Sequence, residues 1–287
     1  MYDAAIIGGG PAAMSAALNL KIRSKNFIIL AGADEATDLS KAPNITNYLG
    51  INNISGKDLI QTFEKHLEEM GIQKKKEKAY NILNMGDYFT INTGSNFYDA
   101  KTIVLATGKA KTTLMEGEED YIGRGVGYCA TCDGPLYRNK TVAIVSENRE
   151  GEEEARFMGE ICSKVYYLPL YKTIMLESNN IIVLKGKPLS VVGDGNKVTS
   201  LVTTEGDIDV DAVFFIRDVL PVSQLIDGIE LEDGSIKVDK YMATNIPGVF
   251  ACGDCTGKPF QIAKAVGEGN IAALSVAKYL DKILEEE

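Results

Sequence analysis

Apolar strand candidates alternate with helical patterns along the chain, a glycine-rich turn joins the first strand to the first helix, and a second strand–helix–strand start appears near residue 141. Together these predict an α/β fold with two nucleotide-binding, Rossmann-like domains, since strands alternating with helices imply parallel sheets covered on both faces. A length of 287 residues is enough for two such domains.

The elements follow in order. Residues 4–7 read as a short buried strand, Gly8-Gly9-Gly10-Pro11 as a turn, residues 12–21 as a helix and 27–30 as the next strand, a βαβ unit. Residues 57–70 carry Leu59, Ile60, Phe63, Leu67 and Met70 at helical spacing. Residues 102–106 form another buried strand, ending in Thr107-Gly108. The second start has a strand at 141–145, a helix at 150–162 and a strand at 165–168. Strands at 212–216 and 249–252 precede one long amphipathic helix at 261–287.

With 45% apolar and 24% charged residues, the composition is that of a globular protein with a sizeable core. A net charge of -10 argues against a nucleic-acid partner, whose phosphates would repel the chain. No apolar run reaches the roughly 18 residues of a membrane span, so no membrane association is expected. Met1-Tyr2-Asp3 runs directly into the first strand without a secretory pattern, which points to a cytoplasmic protein. Four of the five cysteines lie in two C-x-x-C pairs, and in that compartment such pairs signify catalysis or metal rather than structural bridges.

Gly8-x-Gly10-x-x-Ala13 follows a strand and opens a helix, the context in which such glycines let a pyrophosphate approach backbone at a helix N-terminus. The acid expected at the end of the second strand is replaced by Ala31, with Asp34 and Glu35 just beyond. Near the other end, Gly253-Asp254 follows a strand and offers a carboxylate either to a ribityl or ribose hydroxyl or merely to a turn.

Cys129-Ala130-Thr131-Cys132-Asp133-Gly134 is the most specific string. Two thiols at this spacing can close a disulfide, and a nearby acid can manage the proton that thiol exchange requires. No metal site is expected. Zinc would want a second pair and histidines, and the single histidine, His66, sits in a charged, solvated helix.

With these strings in hand, the chain resembles the low-molecular-weight thioredoxin reductases over nearly its whole length. The resemblance rests on Gly8-Gly9-Gly10-Pro11-Ala12-Ala13, Asn47-Tyr48-Leu49-Gly50, Ala106-Thr107-Gly108, the C-A-T-C-D-G string and Gly248-Val249-Phe250-Ala251-Cys252-Gly253-Asp254. It implies a discontinuous FAD-binding domain, residues 1–113 and 212–287, around an inserted NADPH-type domain, 114–211, that carries the cysteine pair. It implies FAD held by Gly8, Gly10, Pro11, Ala12, Ala13, Asn47, Ala106, Thr107, Gly108, Gly253, Asp254, Gln261 and Ile262. It further implies Cys132 facing flavin, Cys129 attacking the partner disulfide, Asp133 as acid/base, hinges near 111–114 and 209–212, and a homodimer.

The inserted domain breaks the pattern. Where a G-x-G-x-x-A turn should follow residues 141–145, the chain reads Ser146-Glu147-Asn148-Arg149-Glu150-Gly151-Glu152-Glu153-Glu154. Side chains occupy the place of bare backbone, and Glu147, Glu150, Glu152 and Glu153 repel an anion. The basic H-R-R string expected after the next strand is Pro169-Leu170-Tyr171, without a cation for a 2′-phosphate. A family arginine is here Phe260. No NADPH is therefore expected.

This combination resembles the ferredoxin-dependent flavin thioredoxin reductases, which implies ferredoxin as donor and thioredoxin as acceptor. An acidic ferredoxin needs a basic footprint, for which Lys21, Arg23 and Lys25, or Lys74, Lys75, Lys76 and Lys78, are candidates beside the reading as solvated lysines. Two other readings stay open: an FAD-dependent dithiol oxidase passing electrons to oxygen, and a non-enzymatic flavin redox sensor. The extra pair Cys252 and Cys255 brackets Asp254 and is either a second relay, with Cys255 activated at a helix start, or core packing. Cys162 reads as core.

Overall fold

The computed structural model describes residues 1–32, 38–109, 114–172, 176, 178–217 and 222–286, grouped into two compact units, 1–111 with 221–287 and 112–220.

The first unit opens with β1 (Tyr2–Ile7), α1 (Pro11–Ile22) and β2 (Phe27–Ala31). Strands β1 and β2 pair in parallel, Ala4 opposite Phe27 and Ile7 opposite Leu30. Alanine-rich α1 begins with Pro11 at its first position, where a missing N–H is harmless, and ends before Ser24 at φ 55°. Helix α2 (Gly56–Glu69) starts at Ser55, whose Oγ accepts the Asp58 N–H at 3.1 Å. Next come β3 (Lys75–Lys76), β4 (Asn81–Asn84), β5 (Phe89–Asn92) and β6 (Phe97–Leu105).

The second unit contains β7 (Val126–Gly127), the single-turn α3 (Ala130–Asp133), β8 (Thr141–Ser146), α4 (Glu150–Ile161), β9 (Lys164–Pro169) and β10 (Ile181–Val183). Strands β11 (Pro188–Gly193), β12 (Val198–Thr203) and β13 (Gly206–Asp209) form an antiparallel sheet before β14 (Ala212–Ile216). The main sheet is parallel, in the order β10-β9-β8-β14-β7.

The chain then re-enters the first unit through α5 (Val222–Leu225), β15 (Leu231–Glu232), β16 (Ser235–Ile236), β17 (Val249–Ala251) and α6 (Ile262–Glu286). Its sheet runs β3-β2-β1-β6-β5-β4. On one side β6 meets β1; on the other, residues 97–100 pair antiparallel with β5 and residues 103–105 parallel with β17. Three strand ends, at Ile7, Leu105 and Ala251, are thereby brought together. Helices α1 and α6 pack so closely that a Cβ at Gly269 would lie 2.2 Å from Ala12 O. Leu20, Ile29, Val104, Val276 and Leu280 fill the core beneath them, each contributing about 1.5–3 kcal/mol of burial.

Two expectations are corrected. The segment 212–216 is β14, paired with β8 from Ala212–Val142 to Ile216–Ser146, so it belongs to the second unit and not to the discontinuous one. Residues 209–212 accordingly lead from β13 into β14 inside that unit rather than between units. Of the other expected hinge, 111–114, residues 111–113 lie outside the described residues, as do Asp34 and Glu35. The antiparallel β4–β5–β6 and β11–β13 pairings were not anticipated. Apart from β6 their strands are short and partly exposed, and the first are closed by turns at Gly86 and Gly94, with φ 96° and 83°. No helix among the described residues is long and apolar enough to cross a membrane.

Candidate active site

In the first unit the predicted residues converge from four segments at the C-terminal ends of β1, β6 and β17. Gly8 has φ 128°, and a Cβ there would lie 2.1 Å from Ala106 O, so only glycine lets the turn pass the end of β6. Gly253, at φ 86°, passes the first turn of α1, where a Cβ would meet Ala12 Cβ at 2.8 Å. Gly10 is different: a Cβ at this position would touch no protein atom. It caps α1 without a side-chain acceptor, and no acid occupies the first turn. Packing therefore explains Gly8 and Gly253, while Gly10 leaves open the space that an anionic group needs at a helix N-terminus.

Asn47 Nδ2 donates to Gln261 Oε1 at 2.8 Å, joining two predicted residues 214 positions apart. Gln261 immediately precedes α6, and its carbonyl accepts the Ala265 N–H. Thr107 Oγ1 is buried without a hydrogen-bonding geometry of its own, although it lies near enough to Cys255 to temper that thiol. A cleft in this unit is lined by Lys109, Asp233, Ser235, Asp254, Cys255 and Phe260. The Lys109 ammonium sits 4.6 Å from the Phe260 ring centroid, a cation–π contact where the family arginine was expected. An orphaned hydroxyl, a cradle clear of Cβ atoms and a carboxylate at the cleft fit a dinucleotide.

One supporting group was missed in the sequence. Lys264 Nζ donates to Gly253 O at 2.8 Å, Thr256 Oγ1 at 2.9 Å and Glu268 Oε2 at 3.0 Å, while Glu268 Oε2 also accepts the Gly253 N–H at 2.8 Å. This pair on α6 clamps the Gly253–Thr256 loop. Its i,i+4 spacing is legible in the sequence, but opposite charges at that spacing usually mark a solvated helix face.

Cys252 and Cys255 are buried free thiols. Burial pushes the Cys255 thiol up to about 11 and the Cys252 thiol well above its ordinary value. Cys255 lies in a three-residue 3-10 turn, Asp254–Thr256, and donates to Cys252 O at 3.2 Å. The expected helix-start activation is therefore absent, because desolvation outweighs it. Cys162 is core, as read, and burial raises its thiol to about 11. His66 is exposed.

In the second unit Cys129 and Cys132 form a disulfide. Cys129 is buried and Cys132 half-buried. Cys129 Sγ accepts from Cys132 N at 3.2 Å and lies 3.3 Å from Thr131 Oγ1. Asp133, on the same turn, is exposed as a residue, but its carboxyl end crowds the Gly127 backbone, where a Cβ would sit 3.1 Å from Oδ2. The loss of hydration at that end raises its pKa above the usual carboxylate value.

Two buried carboxylates hold the residues flanking Cys129. Glu118, wholly buried, accepts from Tyr128 Oη at 2.6 Å and from Arg217 Nη1 and Nη2 at 2.6 and 2.9 Å. Glu154 accepts the Ala130 N–H.

The altered turn after β8 is closed on itself. Ser146 Oγ donates to Asn148 O at 2.7 Å, and Glu150 N donates to Asn148 Oδ1 at 3.0 Å. Gly151 packs on Ser146, whose Oγ would lie 2.2 Å from an added Cβ. Tyr171 donates to Glu152 Oε1 at 2.7 Å and is 2.8 Å from Tyr167 Oη. The replacements thus form an internal network. Glu152 is turned inward to a tyrosine, and Glu147 lies 3.4 Å from Arg217 Nε, so these acids are structural as well as repulsive.

The sequence profile of the pyridine nucleotide-disulphide oxidoreductases matches residues 2–269. Two crystal structures of a ferredoxin-flavin thioredoxin reductase from Clostridium acetobutylicum are similar, at 46% and 45% identity and TM-scores of 0.86 and 0.89; each match covers 99% of this chain, and 99% and 98% of those chains. A thioredoxin reductase from Helicobacter pylori is 33% identical, over 98% of this chain and 99% of its own. With the profile spanning both units and the disulfide in place, this chain belongs to the pyridine nucleotide-disulphide oxidoreductase family.

Proposed function

We propose that this protein is an FAD-dependent thioredoxin reductase that takes its electrons from reduced ferredoxin rather than NADPH. The observation that carries the donor assignment is the self-bonded 146–152 turn, beside an intact Cys129–Cys132 disulfide and an open dinucleotide cradle. The similarity to the ferredoxin-flavin thioredoxin reductase supports the same reading.

FAD, when bound, supplies a carrier that can accept electrons singly and release them in pairs. Gly10, beside the tight turn that Gly8 permits, would let backbone approach its pyrophosphate, and Asn47, Gln261, Ala106, Thr107, Gly108 and Asp254 would hold the remainder. Two electrons and two protons convert the Cys129–Cys132 disulfide to a dithiol. Cys129 Sγ, as thiolate, attacks one sulfur of the thioredoxin disulfide and expels the other as thiolate. Cys132 Sγ then attacks the mixed disulfide, re-forming the Cys129–Cys132 bond and releasing thioredoxin dithiol. Asp133, whose raised pKa favours the protonated carboxyl, would give and recover the proton at sulfur.

Cys132 is the more accessible sulfur here, so the division of roles is assigned by trapping: Cys132→Ser should accumulate a mixed disulfide with thioredoxin, and Cys129→Ser should not. Lys25 and Lys74 are tied to Asp281 and Glu64. Lys21 and Arg23 are exposed, as are Lys76 and Lys75, the last donating to Tyr98 Oη at 3.2 Å, and either group remains a candidate ferredoxin footprint. A homodimer belongs to the same proposal and rests on the resemblance, and a cytoplasmic location is proposed with it.

The test is anaerobic. The flavin-loaded protein is mixed with excess NADPH, NADH or enzymatically reduced ferredoxin, and oxidised thioredoxin is added. Bleaching by ferredoxin alone, reversed by thioredoxin, is expected. Bleaching by either nucleotide would overturn the donor assignment, and failure of thioredoxin to restore colour would overturn the acceptor.

A further inference from the structure

Helix α4 is the seat of the redox turn. Its residues Glu154, Phe157 and Met158, at i, i+3 and i+4, share one face. Phe157 and Met158 press so closely on the turn that a Cβ at Gly134 would lie 3.0 Å and 2.5 Å from them. Glu154 is buried on that face, and its carboxylate accepts the N–H of Ala130, the residue after Cys129. The donors that would stabilise a thiolate at Cys129 are Cys132 N and Thr131 Oγ1. The adjacent peptide donor is taken by Glu154, which adds negative charge beside the same sulfur. Among the described residues, the other charged groups around this turn include Asp133 and Arg138 on its own segment, and Glu118 with Arg217 behind Tyr128.

We infer that Glu154 is a positioning residue for the redox pair, one that fixes the peptide after Cys129 and holds the reduced Cys129 as a thiol until its partner arrives. The inference rests on the reading of Cys129–Cys132 as the redox pair. Keeping the thiolate scarce destabilises the reduced form and makes the dithiol the stronger reductant, which suits a protein that must pass electrons onward. It also protects a cysteine that would otherwise react with any oxidant.

The test uses the full-length, flavin-loaded protein with Glu154→Gln, which keeps an acceptor for the Ala130 N–H but removes the charge. After reduction, iodoacetamide labelling of Cys129 is followed by mass spectrometry across pH. The glutathione equilibrium is measured beside it: protein disulfide plus two glutathione thiols gives protein dithiol plus glutathione disulfide. Glu154→Gln should move the Cys129 labelling profile to lower pH by about one unit, roughly tenfold more thiolate at a given pH, and shift the equilibrium toward protein dithiol. Glu154→Asp, which keeps the charge, should stay near the parent. Glu152→Gln, a buried acid of the same helix bonded instead to Tyr171, should leave the profile unmoved. A parental profile in Glu154→Gln, or an equal shift in Glu152→Gln, overturns the inference. A disulfide that does not exchange with glutathione at all overturns the redox reading with it.

Discussion

Glu118→Gln should unlock the second unit. The Glu118 carboxylate is fully buried and receives Met115 N at 2.8 Å, Tyr128 Oη at 2.6 Å and both Arg217 Nη atoms. Removing one member of a buried ion pair costs about 3–5 kcal/mol, mostly because the surviving charge stays desolvated. Here Arg217 keeps Glu147 at 3.4 Å, and that carboxylate is 43% exposed, so the low end, about 3 kcal/mol, applies. With a urea slope of about 2 kcal/mol per molar, the unfolding midpoint should fall by about 1.5 M. Because the chain has no tryptophan, tyrosine fluorescence in a urea titration is the assay. The paired replacement Glu118→Leu with Arg217→Met should recover much of the loss, since two apolar side chains leave no orphaned charge. A midpoint within about 0.5 M of the parent, or a double variant weaker than the single, would refute the argument.

Three further outcomes are expected. Gly10→Ala meets no protein atom, so thermal stability of the apoprotein should be unchanged while flavin affinity falls at least tenfold, about 1.4 kcal/mol; unchanged affinity in a flavin titration would remove Gly10 from the cradle. The raised pKa of Asp133 contributes stability that is complete below the ordinary value of 3.8 and is lost as pH rises through the raised value. Asp133→Asn should therefore abolish that dependence in pH-resolved thermal melts and slow thioredoxin reduction, and an unaltered melt profile would contradict the assignment. Finally, Cys162 and Cys255, with thiols near 11, should resist iodoacetamide in the native reduced protein near pH 8 and react only in denaturant, as peptide mapping would reveal.

Much of the site was legible because its constraints are local. Gly8, Gly253 and the C-A-T-C-D-G string are read from neighbours in the chain, where backbone conformation or disulfide spacing restricts the residue type. The repetition of strand and helix is likewise local, and β8, α4 and β14 lie where the apolar periodicity put them. The assignment of β14 to a unit was not local. An all-apolar strand reads the same in either sheet, and only its pairing with β8 and β7 decides between them. The short antiparallel pairings were hidden for the opposite reason, since β4, β5 and β11–β13 are partly exposed strands of four to six residues, whose periodicity is weak.

The amino-acid order alone determined that a glycine turn opens a nucleotide fold, that its counterpart at 146–154 has lost the glycines, and that two cysteines can close a ring. It could not determine what the replacement side chains do. Glu118, Glu154 and Glu152 all read as acids in a strongly negative chain, yet they end on an arginine, a peptide N–H beside Cys129 and a tyrosine. Each bond joins segments about 20 to 100 residues apart. The fold decides them because a buried carboxylate must find donors, and which donors lie within reach is set by packing rather than by sequence neighbours.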